Sequence, residues 1–193
     1  MKLVPVILST LLLANSPEGS PAQDPTSGKK LPYPIVDTGQ GRCFDDRRET
    51  PFPKKDSDYF GQDGHYEGNV PAYRDNNDGT ISDLVTGLMW TKSPGEKMSL
   101  DEALAGAKSC RTGGYRDWRV PTIKELYSLI LFSGLDPDPE SRDSSKLSPF
   151  IDTDYFTFRY GDESKGERII DSQYGSSTKY VSTTMKGDAT LFG

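Results

Sequence analysis

From residue 73 onward, short apolar runs alternate with turn residues, and this pattern predicts a hairpin followed by one more strand. Residues 73–76 and 80–83 flank Asn77-Asp78-Gly79, and Asp-Gly supplies the positive-φ residues that a tight hairpin turn needs. Residues 85–90 predict the next strand, with a break at Gly87.

Two helices are predicted from the same capping signal. Ser99 is followed three residues later by Glu102, and Thr122 by Glu125, which is the spacing of a capping box at a helix N-terminus. The first helix is expected to end around Cys110. The apolar positions expected to face the core are Leu100, Ala103, Leu104 and Ala107 in the first helix, and Ile123, Leu126, Tyr127 and Ile130 in the second.

The second half of the chain is polar and rich in proline, with weaker strand signals. Residues 151–160 alternate and place three aromatic residues on one side, namely Phe156, Phe158 and Tyr160. A last pair of strands is predicted at 179–184 and 189–192. Much of the chain is expected to be loop, because 19 glycines and 14 prolines accompany a hydrophobic content of 33%.

The N-terminal residues have the pattern of a secretory signal. Lys2 precedes an apolar run from Leu3 to Ala14, which is too short to cross a bilayer, since a spanning helix needs about 20 apolar residues. Ser20-Pro21-Ala22 offers small residues for cleavage, so residues 1–22 are predicted to be a signal peptide. The alternative is a buried N-terminal strand. The predicted location is secreted, periplasmic or on the cell surface, with no membrane span.

The remaining chain divides into three parts by composition. Residues 23–34 are predicted to be a flexible linker, because Pro, Ser, Gly, Asp and Lys dominate them. Residues 35–72 show little periodicity and are expected to form an irregular N-terminal extension. Residues 73–193 form the predicted compact domain.

The charge balance restricts the possible partners. The chain has 23 basic and 29 acidic residues, a net charge of −6. Binding nucleic acid without sequence preference relies on Lys and Arg that neutralise phosphates, so no nucleic-acid partner is expected. The net negative charge also argues weakly against binding an anionic polysaccharide by electrostatic attraction alone.

The sequence offers little for catalysis or metal binding. His65 is the only histidine and is expected to be an exposed loop residue. An EF-hand loop around Gly79 would place Arg74 and Val85 where oxygen ligands are needed, and the carboxylates of residues 136–140 are expected to be solvated. We therefore predict no catalytic residue, no metal and no cofactor. The two cysteines, Cys43 and Cys110, either form a structural disulfide or stay unpaired.

The stretch from Asp75 to Ile130 carries several motifs in a fixed order. They are Asp78-Gly79-Thr80-Ile81-Ser82-Asp83, Thr86-Gly87-Leu88-Met89-Trp90, Gly114-Tyr115-Arg116-Asp117-Trp118-Arg119-Val120-Pro121-Thr122 and Glu125-Leu126-Tyr127-Ser128-Leu129. In this order they closely resemble the DUF1566 family, also called the Lcl C-terminal domain family. The match is far more specific than any single short motif.

This resemblance implies a fold and a function. The family is similar to the C-type lectin-like fold, so a compact, loop-rich α+β domain with two helices and a twisted antiparallel sheet is expected. Its members are exported or surface-displayed, and one namesake is a collagen-like adhesin that binds sulfated glycosaminoglycans. The implied function is a non-catalytic binding module for a polysaccharide or cell-surface glycan, or an adhesion module.

The chain departs from the family pattern in two places. Val181 stands where the family prefers tryptophan, and family members usually continue through a strand that ends near Arg-Cys-Val. The domain is therefore expected to be incomplete at its C-terminus, which would leave an open sheet edge and Cys110 without its natural partner. An alternative function is a structural subunit that pairs with another protein chain through this edge. A remote alternative is an enzyme of the formylglycine-generating type, which shares the lectin-like fold and uses cysteines.

Two sets of candidate residues follow. Tyr, Arg and Lys suit recognition, and in the lectin-like fold the loops after the second helix commonly form the ligand face. The candidate ligand-binding residues there are Tyr155, Arg159, Tyr160, Arg168, Tyr174, Lys179 and Tyr180. The motif residues expected to be structural are Asp83, Trp90, Asp117, Trp118, Arg119, Pro121 and Glu125.

Trp118 and Arg119 leave two interpretations open. Trp118 is expected to fill the core between the two helices while Arg119 pairs with a carboxylate such as Glu125. The alternative is that Trp118 stacks on a sugar face while Asp117 and Arg119 form hydrogen bonds to the sugar.

Overall fold

A computed structural model of the chain describes residues 12–15, 34–138, 140–180 and 190–191. The main sheet has four antiparallel strands in the order β1-β6-β5-β4. These strands are β1 (Leu13–Asn15), β4 (Tyr73–Asp75), β5 (Thr80–Asp83) and β6 (Leu88–Thr91). Two smaller antiparallel pairs are β2 (Cys43–Phe44) with β3 (Glu49–Thr50), and β7 (Lys179–Tyr180) with β8 (Thr190–Leu191).

The predicted hairpin is confirmed as β4 and β5, with Tyr73 opposite Asp83. Asn77 and Gly79 have positive φ angles of 59° and 87°, so Asn77, and not Asp78, shares the left-handed turn positions with Gly79. Asp78 instead accepts hydrogen bonds from the backbone N–H and the hydroxyl of Thr80, at 3.0 and 2.6 Å.

The third predicted strand begins later than the sequence pattern suggests. The Asp83 carboxylate accepts hydrogen bonds from the backbone N–H groups of Val85 and Thr86, both at 3.0 Å. With Gly87 at a φ of 73°, these bonds close a turn that delays β6 until Leu88. In β6 Trp90 then lies opposite Ile81.

Leu13–Asn15 of the predicted signal sequence forms the strand β1 of the main sheet. β1 pairs with β6, so that Leu13 lies opposite Trp90 and Ala14 opposite Met89. Leu13 is 0% exposed and Ala14 3%. For these residues the structure agrees with the alternative to a signal peptide, which is a buried N-terminal strand. The proposed cleavage site and most of the linker lie outside the described residues, and processing stays a prediction.

Both predicted helices are confirmed, as α1 (Leu100–Ser109) and α2 (Ile123–Tyr127), each with a complete capping box. The Ser99 and Thr122 hydroxyls accept from the N–H groups of Glu102 and Glu125, and each carboxylate accepts from the backbone N–H of its cap residue at 2.8 Å. These side chains satisfy N–H groups that have no partner within the helix.

Two residues predicted to face the core are exposed instead. Leu104 is 40% exposed, because the face of α1 that packs inward is made by the small residues Ala103 and Ala107. Tyr127 is 59% exposed. It is the last residue of a helix of only five residues, so the periodicity expected to extend from Leu126 to Ile130 is interrupted there.

The core is built where the main sheet meets α2. Its largest cluster of buried residues comprises Leu13, Tyr73, Ile81, Trp90, Leu126, Leu129 and Phe156. A neighbouring cluster comprises Ala14, Met89 and Trp118. Both tryptophans are buried, at 0% exposed for Trp90 and 4% for Trp118. The α+β class with two helices and an antiparallel sheet is thereby confirmed.

Segments outside the motifs are mostly irregular. Residues 35–72 contain the small β2–β3 hairpin and a parallel bridge between Val36 and Asn69. Residues 151–160 contain no strand, so the predicted alternation is wrong there. Phe156 packs in the core, whereas Phe158 and Tyr160 pack edge to face with ring centroids 4.9 Å apart.

The predicted C-terminal strand pair is present only in part. Lys179–Tyr180 pairs with Thr190–Leu191, and residues 181–189 lie outside the described chain. No helix in the described ranges has the length and apolar character needed to cross a membrane.

Candidate functional site

A cavity of about 270 Å³ lies beside α2 and is the candidate binding site. We call it the α2 cavity. Its aromatic walls are Tyr127, Phe150, Phe158, Tyr160 and Tyr174, and its polar lining residues are Asp136, Ser172 and Gln173. Its aliphatic lining comes from Ile123, Leu126, Leu129, Ile130, Leu135, Pro137, Pro149, Ile151 and Ile170.

One wall of the α2 cavity is fixed by a close approach between two loops. The Leu131 N–H donates to the Phe150 carbonyl at 2.9 Å, and the Leu135 N–H donates to the Ser148 carbonyl at 2.8 Å. Phe150 lies against Gly134, where a Cβ atom would come within 2.6 Å of the Phe150 ring. The absence of a side chain at Gly134 therefore lets the ring lie in the wall.

Two of the three tyrosines that line the cavity, Tyr160 and Tyr174, have a raised pKa and keep their hydroxyls protonated over the physiological range. Burial raises the pKa of Tyr174 to about 12, and burial also raises the pKa of Tyr160 above its ordinary value. The Tyr160 Oη atom is buried and has no hydrogen-bond partner among the described residues. A buried hydroxyl without a partner is costly, and a ligand oxygen in the cavity could supply one.

The α2 cavity gathers only two of the seven predicted ligand-binding residues, Tyr160 and Tyr174. The guanidinium of Arg159 donates to the Gly95 carbonyl at 2.8 Å, and that of Arg168 donates to Asp171 at 2.9 Å. The Tyr155 ring packs against Tyr73 in the core, with centroids 5.5 Å apart.

The last two predicted ligand-binding residues lie in β7. Lys179 is exposed there, and the side chain of Tyr180 is outside the described part. Among the described side chains of this set, two line the α2 cavity and the others contact different segments, and the ligand-binding role of these residues stays a prediction.

Tyr127, Phe150 and Phe158 were missed as site residues. Tyr127 has the helical spacing of a core residue, but α2 ends at this residue and its side chain is exposed. Phe158 belongs to an alternating run that suggests a strand. Phe150 has one usable signal, since it directly follows the turn residues Ser148 and Pro149 in a segment without periodicity.

The family-motif residues form a structural unit. The Trp118 indole N–H donates to the Thr112 carbonyl at 3.2 Å, and Arg119 binds Glu125 through both guanidinium Nη atoms. Pro121 is fully buried, and its carbonyl accepts from the Ser177 N–H at 2.7 Å. The structure thus agrees with the core interpretation of Trp118, whose face is not open to a sugar. Asp117 is exposed.

The disulfide between Cys43 and Cys110 is not formed in the structure. Cys43 Sγ lies 3.4 Å from His65 Nδ1, and Cys110 Sγ lies 3.3 Å from Thr112 Oγ1. Each thiol therefore belongs to a separate local cluster.

His65 is half-buried and is not the exposed loop residue that the sequence predicts. Its ring lies edge-on to Phe52 and Phe60, at centroid distances of 5.5 and 4.9 Å. Its Nε2 atom lies 3.0 Å from the Pro53 carbonyl. Because a carbonyl oxygen can only accept, the contact with Pro53 needs a proton on Nε2, and Nδ1 faces the Cys43 thiol.

Within the described ranges, no group of three or more His, Cys, Asp or Glu side chains lies close enough together to hold a metal ion. The α2 cavity itself offers aromatic faces and a few hydrogen-bonding groups, which is an arrangement for binding.

Comparison with known proteins identifies one family. The model of the Lcl C-terminal domain matches residues 79–190, more than half of the 193 residues. No curated protein and no solved structure matches the chain. The relation to the C-type lectin-like fold therefore stays a prediction.

Proposed function

The chain belongs to the Lcl C-terminal domain family, and on this premise we propose that it is an exported, non-catalytic binding module that holds a glycan in the α2 cavity. The observation that carries the proposal is the lining of this cavity. Five aromatic, nine aliphatic and three polar residues surround a space of about 270 Å³, which is large enough for part of a small ligand.

Aromatic walls with a few hydrogen-bonding groups suit a sugar. The C–H face of a sugar ring is apolar and packs on an aromatic ring, while its hydroxyls need donors and acceptors. Ser172, Gln173 and Asp136 provide such groups in the lining. The buried Tyr160 hydroxyl, which has no partner among the described residues, gives a sugar oxygen a further contact.

The charge of the chain favours a neutral glycan over a sulfated one. The net charge is −6, and the one charged residue in the lining of the α2 cavity is the acidic Asp136. An anionic polysaccharide would be repelled by this balance. Export is proposed from the apolar run of residues 3–14 and the small residues that follow it.

A glycan array that carries neutral and sulfated polysaccharides, together with a heparin column, tests this proposal. We expect retention on neutral glycans and little on heparin. Tyr127→Ala should weaken binding, because Tyr127 lines the cavity and is 59% exposed. Tyr66→Ala is the matched control, since Tyr66 is 61% exposed and lies outside the lining. Binding to no glycan, or equal losses in both variants, would rule the proposed site out.

A second candidate function is pairing with another protein chain through an open sheet edge. β4 is the last strand in the order of the main sheet, so one side of its backbone is not paired with another strand of that sheet. An unpaired edge can accept a strand from another chain. Size-exclusion chromatography with crosslinking tests this candidate, and a chain that stays monomeric at all concentrations would exclude it.

A further inference from the structure

The strand β1 fills a slot between β6 and Arg119. The Leu13 N–H donates to the Arg119 carbonyl and the Arg119 N–H donates to the Leu13 carbonyl, both at 3.0 Å. On the other side, the Thr91 N–H donates to the Leu12 carbonyl at 2.9 Å. We call this space the strand slot. Its occupant is thus hydrogen-bonded along both sides, as an interior strand is.

The strand slot is apolar on both faces. Leu13 belongs to the main core cluster with Ile81 and Trp90, whereas Ala14 packs with Met89 and Trp118. Leu12 packs against a cluster formed by α1 and Val120. A short continuous apolar run, here Leu-Leu-Ala, is what a strand buried on both faces requires.

The walls of the strand slot and its occupant come from separate parts of the chain. Its walls belong to residues 73–156, whereas its occupant is residues 12–14. Between the occupant and β4 the chain contributes no other described strand to the main sheet. The occupant therefore enters the domain as an independent segment, held by backbone hydrogen bonds and side-chain pockets.

We propose that the strand slot is a strand-acceptor site for an extended, uncharged polypeptide segment with apolar side chains at three consecutive positions. In the unprocessed chain, residues 12–14 are its intramolecular occupant. If residues 1–22 are removed, the side chains of Met89, Trp90 and Trp118 become exposed where residues 12–14 had packed. The backbone groups of Thr91 and Arg119 that bonded to residues 12 and 13 then lack hydrogen-bond partners. A segment of the same chemistry, supplied by a partner polypeptide, then adds as a strand by backbone pairing.

Peptide exchange on the full-length chain tests the proposal. A protease recognition sequence is introduced within residues 23–33, the folded chain is cut there, and a fluorescent peptide with the sequence of residues 9–17 is added. We expect the N-terminal fragment to co-elute with the domain after cutting and to be replaced by excess labelled peptide, which raises fluorescence anisotropy. The uncut chain is the control and should not bind the peptide.

Two variant peptides make the test specific. Leu13→Asp should weaken peptide binding by more than about tenfold, because it places a charge in an apolar pocket. Ser16→Asp adds the same charge outside the paired residues and should bind like the unmodified peptide. The chain has two tryptophans and both line the strand slot, so their emission should shift to the red when the slot empties.

Several outcomes decide the proposal. Uptake of the labelled peptide by the cut chain, with tryptophan emission returning to its value in the uncut chain, supports it. Release of the N-terminal fragment with unchanged tryptophan emission would overturn it, as would equal binding of the Leu13→Asp peptide. Aggregation after cutting without uptake of labelled peptide would also overturn it, because residues 12–14 would then be an irreplaceable core strand.

Discussion

Arg119 and Glu125 form an ion pair with two parallel hydrogen bonds, from Nη1 to Oε2 at 2.9 Å and from Nη2 to Oε1 at 2.6 Å. The same Glu125 Oε2 atom accepts from the backbone N–H and the hydroxyl of Thr122, at 2.8 and 2.9 Å. One carboxylate therefore joins the segment that carries Trp118 to the start of α2.

Glu125→Gln should lower the free energy of unfolding at pH 7 by about 1–2 kcal/mol. Glutamine can still close the capping box, so the loss comes from the ion pair with Arg119, whose two parallel hydrogen bonds between charged groups contribute about 1–2 kcal/mol at this partly exposed position. Urea unfolding followed by tryptophan fluorescence measures the loss. Glu102→Gln is the matched control, because Glu102 closes the same box in α1 and forms no ion pair within the described chain; it should cost less.

The loss caused by Glu125→Gln should depend on pH. Burial alone would raise the pKa of Glu125, but the hydrogen bonds from Arg119 and Thr122 outweigh burial and hold this pKa below its ordinary value. The stabilisation is therefore complete above the unfolded-state pKa of about 4.3 and disappears as the pH falls through the lower folded-state pKa. The difference between the two proteins should shrink below about pH 4; a constant difference down to pH 2 would contradict this account.

Asp83→Ala should destabilise the chain by roughly 2 kcal/mol, and Asp83→Asn by less than about 1 kcal/mol. Asp83 is 2% exposed, and its Oδ1 atom accepts from the N–H groups of Val85 and Thr86. Its Oδ2 atom is buried with no partner in the described part of the chain, so an amide that keeps one carbonyl oxygen preserves the turn. Thermal unfolding of both variants checks the order. Equal losses would show that Oδ2 makes a contact of its own.

The success of the sequence-based predictions depends on whether the signal is local. The capping boxes and the β4–β5 hairpin are set by residues within four positions of one another, and the structure has both, although Asn77 and not Asp78 takes the positive φ angle beside Gly79. Leu13 is the opposite case, because a short apolar run has the same pattern in a signal peptide and in a buried strand. The α2 cavity as a whole could not be predicted, although Tyr160 and Tyr174 were among the candidate residues, because its walls come from α2 and from loops that meet only through long-range packing.

Gly161→Ala should cost roughly 2–3 kcal/mol. The Gly161 N–H donates to the Ile169 carbonyl at 3.2 Å, and a Cβ atom at position 161 would collide with the Arg168 carbonyl. Relief of such overpacking requires a shift of the backbone, which costs about 1–3 kcal/mol. Circular dichroism during thermal unfolding measures the effect.

Gly106→Ala is the control for Gly161→Ala, because it adds the same methyl group at a glycine that has free space around it. Gly106 lies within α1, and an added Cβ atom would meet nothing within 4 Å. Alanine is preferred over glycine in a helix by roughly 0.5–1 kcal/mol, so this variant should be more stable than the natural chain. If both glycine variants lose stability equally, the close approach at Gly161 is not the cause of its loss.

Tyr160→Phe should separate stability from binding. The change removes a buried hydroxyl that has no partner among the described residues and keeps the ring that packs on Phe158. The free energy of unfolding should stay constant or rise by about 1 kcal/mol. If a glycan hydroxyl bonds to Tyr160 Oη, glycan affinity should fall by about fivefold or more. Tyr59→Phe is the control, because the Tyr59 hydroxyl donates to Asp46 outside the cavity, and affinity should not change. A Tyr160→Phe variant that loses stability while glycan binding stays intact would mean that the hydroxyl serves the fold, and that the ligand does not reach it.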